Sequence, residues 1–425
     1  MRDAGHLRVR EERRVEPGGL LALGVEPQTR PDTRHDRLLL PCALPDVSLP
    51  PYRLARRPEV IAPAAPDPRP YAGPVQEIHN APLATLTTLR VGGPADRLVT
   101  ATTDEEVIDA VNAADATATP LLVIGGGSNL LIGDDGFPGT ALRIATTGRH
   151  LDGTRLELAA GENWSDAVAH AVDAGLAGIE CLAGIPGSAG ATPIQNVGAY
   201  GQEVSSVLTE VVAYDRVARE TVTLPAAACG FAYRHSRFKE NPDRHVILRV
   251  HLTLEDAAGL SAPLRYPETA RALGVAPGDR VPAAAAREAV LALRAGKGMV
   301  LDPADNDTWS AGSFFTNPVL DALEWDVFLT RVAERLGPDV LPPAYPADDG
   351  RTKTSAAWLI DRAGFAKGHG TGPARISGKH TLALTNRGTA TAADIVALAR
   401  EVRDGVHAAF GITLVNEPVT VGTSL

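Results

Sequence analysis

Cysteine is scarce in this chain of 425 residues, and methionine is scarcer still. The three cysteines, Cys42, Cys181 and Cys229, lie far apart and form no Cys-x-x-Cys pair. This spacing disfavours a disulfide scaffold or a cysteine-held zinc site, and it favours a reducing cytoplasm. The eleven histidines contain no His-Glu-x-x-His motif and no paired ligand spacing, so we predict that the protein holds no metal.

The sequence also lacks an apolar run long enough to span a bilayer, and no apolar signal segment opens it. The formal net charge of −10 disfavours a general nucleic-acid binder, because such proteins carry basic surfaces. A hydrophobic content of 44% is typical of a soluble globular protein. We therefore expect a cytoplasmic protein with neither a membrane nor a nucleic-acid partner.

The length exceeds one ordinary hydrophobic core, so two or three domains are expected. Residues 1–74 are rich in Arg, Pro and acidic residues, lack Lys, and show no sustained hydrophobic period. They are predicted to be a disordered extension, or upstream sequence translated from a wrongly chosen start. We divide the rest of the chain into three parts, residues 75–150, 151–255 and 256–425.

Local patterns in the first of these parts, residues 75–150, predict a helix, a strand and a glycine turn in succession. Thr103 and Glu106 have the spacing of a capping box and precede an apolar helical face. The apolar run 120–124 is typical of a buried strand and leads directly into the turn Gly125-Gly126-Gly127-Ser128-Asn129. This arrangement suits nucleotide binding, but it is not the Gly-x-Gly-x-x-Gly fingerprint and is a weak signal alone.

Further along, helix starts are predicted at Ser165, Ser355 and Thr391, because each precedes residues with a helical apolar period. Strands are predicted over 245–254 and 412–415. Mixed helices and strands without a fixed repeat indicate an α+β protein.

The segment 185–201, Ile-Pro-Gly-Ser-Ala-Gly-Ala-Thr-Pro-Ile-Gln-Asn-Val-Gly-Ala-Tyr-Gly, fits neither a helix nor a strand. Glycine costs order unless the backbone needs unusual dihedrals or a close approach. A flexible linker is the alternative, but Gln195, Asn196 and Tyr200 are not typical of linkers. We interpret the segment as a ligand cradle whose bare backbone N–H groups suit a phosphate or pyrophosphate.

Three short islands contain residues that could carry chemistry. They are Tyr-Arg-His-Ser around Arg234, Gly-Ser-Phe-Phe around Ser313, and Asn-Glu-Pro around Glu417. Taken singly, Arg234 could be an ion-pair donor, Ser313 a turn serine and Glu417 a solvated surface acid. A nucleophilic serine is poorly supported, because Ser313 lacks the second glycine of a Gly-x-Ser-x-Gly elbow.

Together and in order, these segments resemble the UDP-N-acetylenolpyruvoylglucosamine reductase family, in its type I branch. The resemblance runs from Leu-Arg-Val-Gly-Gly-Pro-Ala at 89–95 to Val-Gly at 421–422. It implies an FAD-binding fold of the vanillyl-alcohol oxidase type in two subdomains, residues 75–150 and 151–255. The third part, residues 256–425, would be a C-terminal α+β substrate-binding domain.

The resemblance also implies the site residues. The catalytic residues would be Arg234, Ser313 and Glu417. The substrate-binding residues would be Tyr200, Tyr266, Lys297 and Asn317. The residues that bind FAD without a covalent bond would be Gly125, Gly126, Gly127, Ser128, Asn129, Ile185, Pro186, Gly187, Ile194, Gln195, Asn196 and Gly198.

The family reaction would use NADPH as co-substrate to reduce the enolpyruvyl ether of UDP-N-acetylglucosamine to a lactyl ether, in peptidoglycan precursor synthesis. A guanidinium at Arg234 suits the carboxylate on which negative charge develops, and a hydroxyl at Ser313 suits proton delivery to the adjacent carbon. Glu417 would orient the carboxylate or assist that proton. A monomer is expected. The alternatives are another flavin oxidase or dehydrogenase of the same superfamily, or a non-catalytic nucleotide-binding module.

Overall fold

The computed structural model describes residues 76–347 and 350–425. The expectation for residues 1–74 therefore falls outside the described residues. The first elements in chain order are β1 (Gln76–Pro82), β2 (Pro94–Ala101), α1 (Asp104–Ala116), β3 (Leu121–Ile124), β4 (Leu130–Ile132) and β5 (Phe137–Ile144). Four of these strands form a sheet of order β1-β2-β5-β3, in which β2, β5 and β3 run parallel.

The capping box that the sequence predicts at the start of α1 is confirmed. The Thr103 hydroxyl accepts from the Glu106 N–H at 3.2 Å, and the Glu106 carboxylate accepts from the Thr103 N–H at 3.3 Å. Val107 and Val111 are fully buried on the inner face of the helix. The cap and this apolar face together hold α1 on the sheet, and the glycine turn follows β3 as predicted.

The middle of the chain forms a second, antiparallel layer. Its elements are β6 (Arg149–Asp152), β7 (Arg155–Ala159), α2 (Trp164–Asp173), β8 (Leu176–Ala177), β9 (Gly198–Ala199), β10 (Gln202–Glu203), β11 (Leu208–Asp215), β12 (Glu220–Pro225), α3 (Arg237–Glu240), β13 (His245–Thr253) and β14 (Glu255–Asp256). Five strands pair in the order β12-β11-β13-β7-β6. Strand β13 confirms the strand predicted over 245–254, with its end one residue earlier.

The predicted cap of α2 is wrong. Asn163 is the N-cap, and its side-chain oxygen accepts from the Asp166 N–H at 3.1 Å. Ser165 lies inside the first turn. Asn and Ser are both good caps, so the sequence pattern alone could not choose between two candidates two residues apart.

The C-terminal part contains most of the remaining helices. Its elements are α4 (Pro267–Ala272), α5 (Ala283–Gly296), β15 (Val319–Leu320), α6 (Ala322–Leu336), β16 (Tyr345–Pro346), β17 (Thr352–Lys353), α7 (Ala356–Ala363), β18 (Ala374–Ile376), β19 (Leu384–Asn386), α8 (Ala392–Phe410) and β20 (Val419–Val421). The caps predicted at Ser355 and Thr391 are confirmed by side-chain hydrogen bonds to the first turns of α7 and α8. None of the described helices is long and apolar enough to cross a membrane.

The apolar stripe of α8 forms the centre of the C-terminal core. Its five members are at least 94% buried: Ile395, Leu398, Val402, Val406 and Phe410. Burial of each such side chain is worth roughly 1.5–3 kcal/mol, so the stripe holds α8 against its neighbours. The helix ends at Gly411, whose φ of +72° is the left-handed conformation that glycine adopts without strain.

The strand predicted over 412–415 is wrong. Residues 412–415 form no strand or bridge; the next residue, Asn416, makes an isolated bridge with Phe315, and the strand itself forms at β20. The position of this strand is set by a tertiary contact, because β20 pairs in parallel with β4, with Val419 opposite Leu130. This pairing brings Glu417, two residues before β20, beside the glycine turn that precedes β4. The domain boundaries at 150 and 255 stay predictions.

Candidate active site

A cavity of about 650 Å³ brings together the two glycine segments and the three chemical islands. Its size lies within the roughly 300–1,000 Å³ of typical ligand pockets. Of the predicted site residues, these line it: Gly125, Gly126, Gly127, Ser128, Asn129, Ile185, Pro186, Gly187, Ile194, Gln195, Gly198, Tyr200, Arg234, Tyr266, Lys297, Ser313, Asn317 and Glu417. Residues predicted from distant segments thus share one cavity.

Asn196 is the predicted site residue that is not part of the cavity lining. It is fully buried, and its amide donates to Glu203 at 3.0 Å and to the Ala232 carbonyl at 3.2 Å. Its side-chain oxygen accepts from the Ser205 N–H at 3.1 Å. The side chain thus ties the glycine loop to the segments that contain its three partners. A contact of Asn196 with the cofactor stays a prediction.

The glycine turn and the long glycine loop lie against each other at one end of the cavity. A Cβ on Gly126 would lie 2.5 Å from the Cα of Gly187, and one on Gly125 would overlap the Ser188 hydroxyl. Two backbones can approach this closely only without side chains. The cradle therefore presents bare backbone to the cavity, which fits the phosphate-bearing part of a dinucleotide such as FAD.

Arg234 stands on a backbone with a φ of +53°, an unusual conformation for a residue with a side chain. Its Nε donates to the Glu417 carboxylate at 2.9 Å, and its Nη2 donates to the Gly198 carbonyl at 2.7 Å. The following Ser236 is fully buried and caps α3, and its hydroxyl also donates to the Ile194 carbonyl. These contacts hold the guanidinium against the glycine loop and in the cavity wall.

Glu417 is largely buried, with 12% of its side chain exposed. Burial raises the pKa of its carboxyl group, while the positive charges of Arg234 and Lys239 oppose that rise. Besides Arg234, the same Oε1 atom accepts from the Gln195 amide at 3.3 Å. The site thus contains a carboxyl group that accepts hydrogen bonds from two donors, and its pKa depends on the balance between burial and the nearby positive charges.

Ser313 lines the cavity at the point where the chain enters the C-terminal core. Gly312 before it has a φ of +76°, and Phe314 and Phe315 after it are buried. The Phe314 carbonyl accepts from the Glu417 N–H at 2.8 Å. This backbone bond holds the serine segment beside the glutamate segment, although about a hundred residues separate them.

The predicted substrate-binding residues form a second wall. The rings of Tyr200 and Tyr266 meet edge to face at 5.4 Å, and the Lys297 ammonium lies 5.5 Å from the centre of the Tyr200 ring. Lys297 also pairs with Glu268 at 2.6 Å. The wall therefore combines aromatic surface with a positive charge, which suits a sugar nucleotide with a diphosphate.

Asn317, the fourth predicted substrate-binding residue, lines the cavity and also forms a hydrogen bond to a helix. Its side-chain oxygen accepts from the Ala356 N–H at 3.0 Å, in the first turn of α7. The side chain is thereby held in position at the cavity wall. A direct contact of Asn317 with substrate stays a prediction.

Sequence reasoning missed four basic residues in the cavity lining: Lys239, Lys353, Arg294 and His380. Burial lowers the pKa of Arg294 to about 10, and its buried Nε has no hydrogen-bond partner within the described part of the chain. Burial, followed by the nearby charge of Lys297, lowers the pKa of His380 to about 4. Arg294 lies one helical turn before Lys297, a spacing that could have marked it, whereas nothing local marks His380.

Comparison with known proteins agrees with this geometry. Residues 95–221 match the family model described as FAD binding domain. Residues 302–421 match the model described as UDP-N-acetylenolpyruvoylglucosamine reductase, C-terminal domain. These matches confirm the predicted α+β fold class, the FAD cofactor and the identification of the chain as an oxidoreductase.

Curated proteins of the same name match along nearly their whole length. UDP-N-acetylenolpyruvoylglucosamine reductase of Streptomyces avermitilis is 75% identical over 351 residues, which cover 83% of this chain and 96% of that protein. The protein of that name from Thermobifida fusca is 58% identical, over 81% of this chain and 98% of its own length.

A solved structure extends the comparison to the fold. The crystal structure of UDP-N-acetylenolpyruvylglucosamine reductase from Thermus caldophilus is 27% identical and has a TM-score of 0.55. The match covers 82% of this chain and 98% of that one. With both family models, the high identities and this fold in agreement, the chain belongs to the UDP-N-acetylenolpyruvoylglucosamine reductase family.

Proposed function

We propose that this protein reduces UDP-N-acetylenolpyruvoylglucosamine to UDP-N-acetylmuramate, with NADPH as the electron donor, in peptidoglycan precursor synthesis. The observation that carries the proposal is the 2.9 Å contact of Arg234 with Glu417, in a cavity that Ser313 and both glycine segments also line. We further propose that the enzyme acts in the cytoplasm as a monomer.

The cavity supplies a cradle for FAD in the two closely packed glycine segments. When bound there, FAD would supply the two-electron chemistry that links NADPH oxidation to reduction of the vinyl group. Ser128, Asn129 and Gln195 add polar side chains to the lining. The work left to the protein is to bind the substrate, orient its vinyl group, stabilise developing charge and deliver one proton.

Arg234 is proposed to bind the carboxylate of the enolpyruvyl group. Addition of hydride at the terminal vinyl carbon places negative charge on the neighbouring carbon and, through conjugation, on that carboxylate. A guanidinium already held by Glu417 and the Gly198 carbonyl need not reorganise as the charge grows. Removal of one such preorganised donor typically costs about 3 kcal/mol in the barrier.

Ser313 is proposed to donate the proton to that neighbouring carbon. An enolate-like carbon is basic enough to take a proton from a weak acid held within reach. Ser313 lines the cavity, in a segment whose backbone is bonded to that of Glu417. Glu417 is proposed to orient the substrate carboxylate or to assist the proton transfer, which its raised pKa supports.

Tyr200, Tyr266, Lys297 and Asn317 are proposed to bind the nucleotide end of the substrate. Lys297 is charged and lies beside the Tyr200 ring, so a diphosphate could replace its partner Glu268. The exposed fraction of Tyr266, 41%, places that ring at the rim of the cavity, where it can close over a bound ligand.

The purified protein should be yellow, with the visible bands of bound flavin. NADPH should bleach those bands under anaerobic conditions, and UDP-N-acetylenolpyruvoylglucosamine should restore them with formation of UDP-N-acetylmuramate. Restoration by oxygen alone, with no response to the sugar nucleotide, would instead identify an oxidase of the same superfamily. A colourless protein that cannot be loaded with FAD would contradict the proposal.

A further inference from the structure

Glu417 is held by a closed ring of hydrogen bonds that also contains Asn129 and Gln195. The Asn129 amide donates to the Gln195 side-chain oxygen at 2.8 Å and to the Glu417 backbone carbonyl at 3.3 Å. The Gln195 amide nitrogen then donates to Oε1 of Glu417 at 3.3 Å. Three segments thus meet in one ring: the glycine turn, the long glycine loop and the residue before Pro418.

The chemistry of the carboxamides sets the direction of this ring. A glutamine side chain offers an acceptor at one end and donors at the other. Because Asn129 occupies the acceptor end of Gln195, the donor end faces Glu417. Asn129 is itself held, since its backbone carbonyl accepts from the Val419 N–H at 2.9 Å at the start of the β4–β20 pairing.

The two oxygens of Glu417 therefore differ. Oε1 accepts from both Arg234 Nε and Gln195 Nε2. Oε2 has no hydrogen-bond partner among residues 76–347 and 350–425, while Glu417 lines the cavity. A carboxyl group held in this way can present Oε2 to a ligand or a proton.

We propose that Gln195 is a positioning residue for Glu417, which holds Oε1 from the side of the glycine loop and leaves Oε2 as the working atom. This inference rests on the proposed function, in which Glu417 acts on the substrate. It gives Gln195, expected above only to bind the cofactor, a part in the chemistry of Glu417. Asn129 acts one step further away, by orienting Gln195.

The protonation of Glu417 reports on this contact. The charged or titratable groups that face the carboxyl group are Arg234, Lys239 and Tyr233. A donor to the carboxylate stabilises its ionised form, so loss of the Gln195 donor should raise the pKa of Glu417 further. A residue that only shaped the cofactor loop would leave this pKa unchanged.

The test uses the full chain loaded with FAD and follows carboxyl protonation against pH by infrared difference spectroscopy. The band of Glu417 is assigned by its loss in Glu417→Gln. Gln195→Met, which keeps the length of the side chain and removes the donor, should raise the midpoint by about one pH unit. Gln202→Met is the control, because the Gln202 side-chain oxygen accepts from the Cys181 N–H at 2.7 Å and does not contact Glu417. The midpoint of this variant should equal that of the wild type.

A second variant protects the test against loss of folding. Asn129→Ala leaves Gln195 in place but frees its amide to turn, so a smaller upward shift is expected. A wild-type midpoint in whichever of Gln195→Met and Asn129→Ala folds and binds FAD overturns the inference. Failure of the sugar nucleotide to reoxidise the wild-type flavin would reject the proposed function instead, and the infrared midpoints would still decide the role of Gln195.

Discussion

Gly126 lies so close to Gly187 that a Cβ on Gly126 would come within 2.5 Å of the Gly187 Cα. The Gly187 Cα is a backbone atom, and a Cβ on Gly126 has no rotatable bond that could move it away. A substitution must therefore move one of the glycine segments. We therefore expect Gly126→Ala to fold with a reduced affinity for FAD, by tenfold or more. Flavin content after gel filtration and FAD titration measure the effect. Gly372→Ala, where an added Cβ would meet no atom of the described residues within 4 Å, is the matched control and should retain its flavin.

Arg234→Lys should slow reoxidation of the flavin by the sugar nucleotide by about a hundredfold, while NADPH-dependent bleaching changes little. A lysine carries the charge but cannot reach Glu417 and the Gly198 carbonyl with two fixed donors. Stopped-flow absorbance separates the two half-reactions. Arg219→Lys controls for the backbone, because Arg219 is exposed and has a similar φ of +59°. Equal losses in both half-reactions would point to a structural role for Arg234.

Ser313→Ala should also preserve bleaching by NADPH and severely slow reoxidation by the sugar nucleotide. The hydroxyl is needed only for the proton that follows hydride addition, so removal costs the general-acid contribution of roughly 10²–10⁴-fold. A solvent deuterium effect on the wild-type reoxidation step, absent from bleaching, would support the same assignment. Unchanged reoxidation in the variant would remove Ser313 from this role.

NADPH and the sugar nucleotide should use overlapping space in turn, because one cavity contains the proposed flavin cradle and the proposed substrate wall. Initial-rate data with both substrates varied should give parallel double-reciprocal lines. Each substrate should also inhibit at high concentration by competing with the other. Intersecting lines would mean that both are bound together.

Asp215 should contribute stability that is lost in acid. Its hydrogen bond from Arg244, aided by the N–H groups of Val217 and Ala218, lowers the pKa of the carboxyl group to about 2. A carboxyl group whose pKa is lower in the folded state stabilises the protein at pH values above its ordinary pKa of 3.8. This contribution disappears as the pH falls towards 2. Urea unfolding at several pH values should show Asp215→Asn less stable by about 1–2 kcal/mol at pH 6, with the difference vanishing near pH 2. Asp243→Asn, at a side chain 92% exposed, should show no such dependence.

Local features of the fold could be predicted wherever the determinant lay within a few residues. The capping box of Thr103 with Glu106 and the caps at Ser355 and Thr391 formed as expected, because a cap bonds to its own first turn. The cap of α2 was mistaken because two good candidates stood two residues apart. The strand expected over 412–415 failed because the partner that decides its place, β4, lies almost three hundred residues earlier.

The site divides in the same way. The residue types, the order of the motifs and the family they resemble could be recognised from the chain alone, since these are properties of short segments. The convergence of Arg234 with Glu417, the amide ring through Gln195 and the place of Arg294 and His380 in the cavity lining could not, because each depends on contacts between distant segments. Sequence by itself determined which chemical groups this protein has, whereas strand pairing and core packing decided which of them meet and which oxygen of Glu417 is left to act.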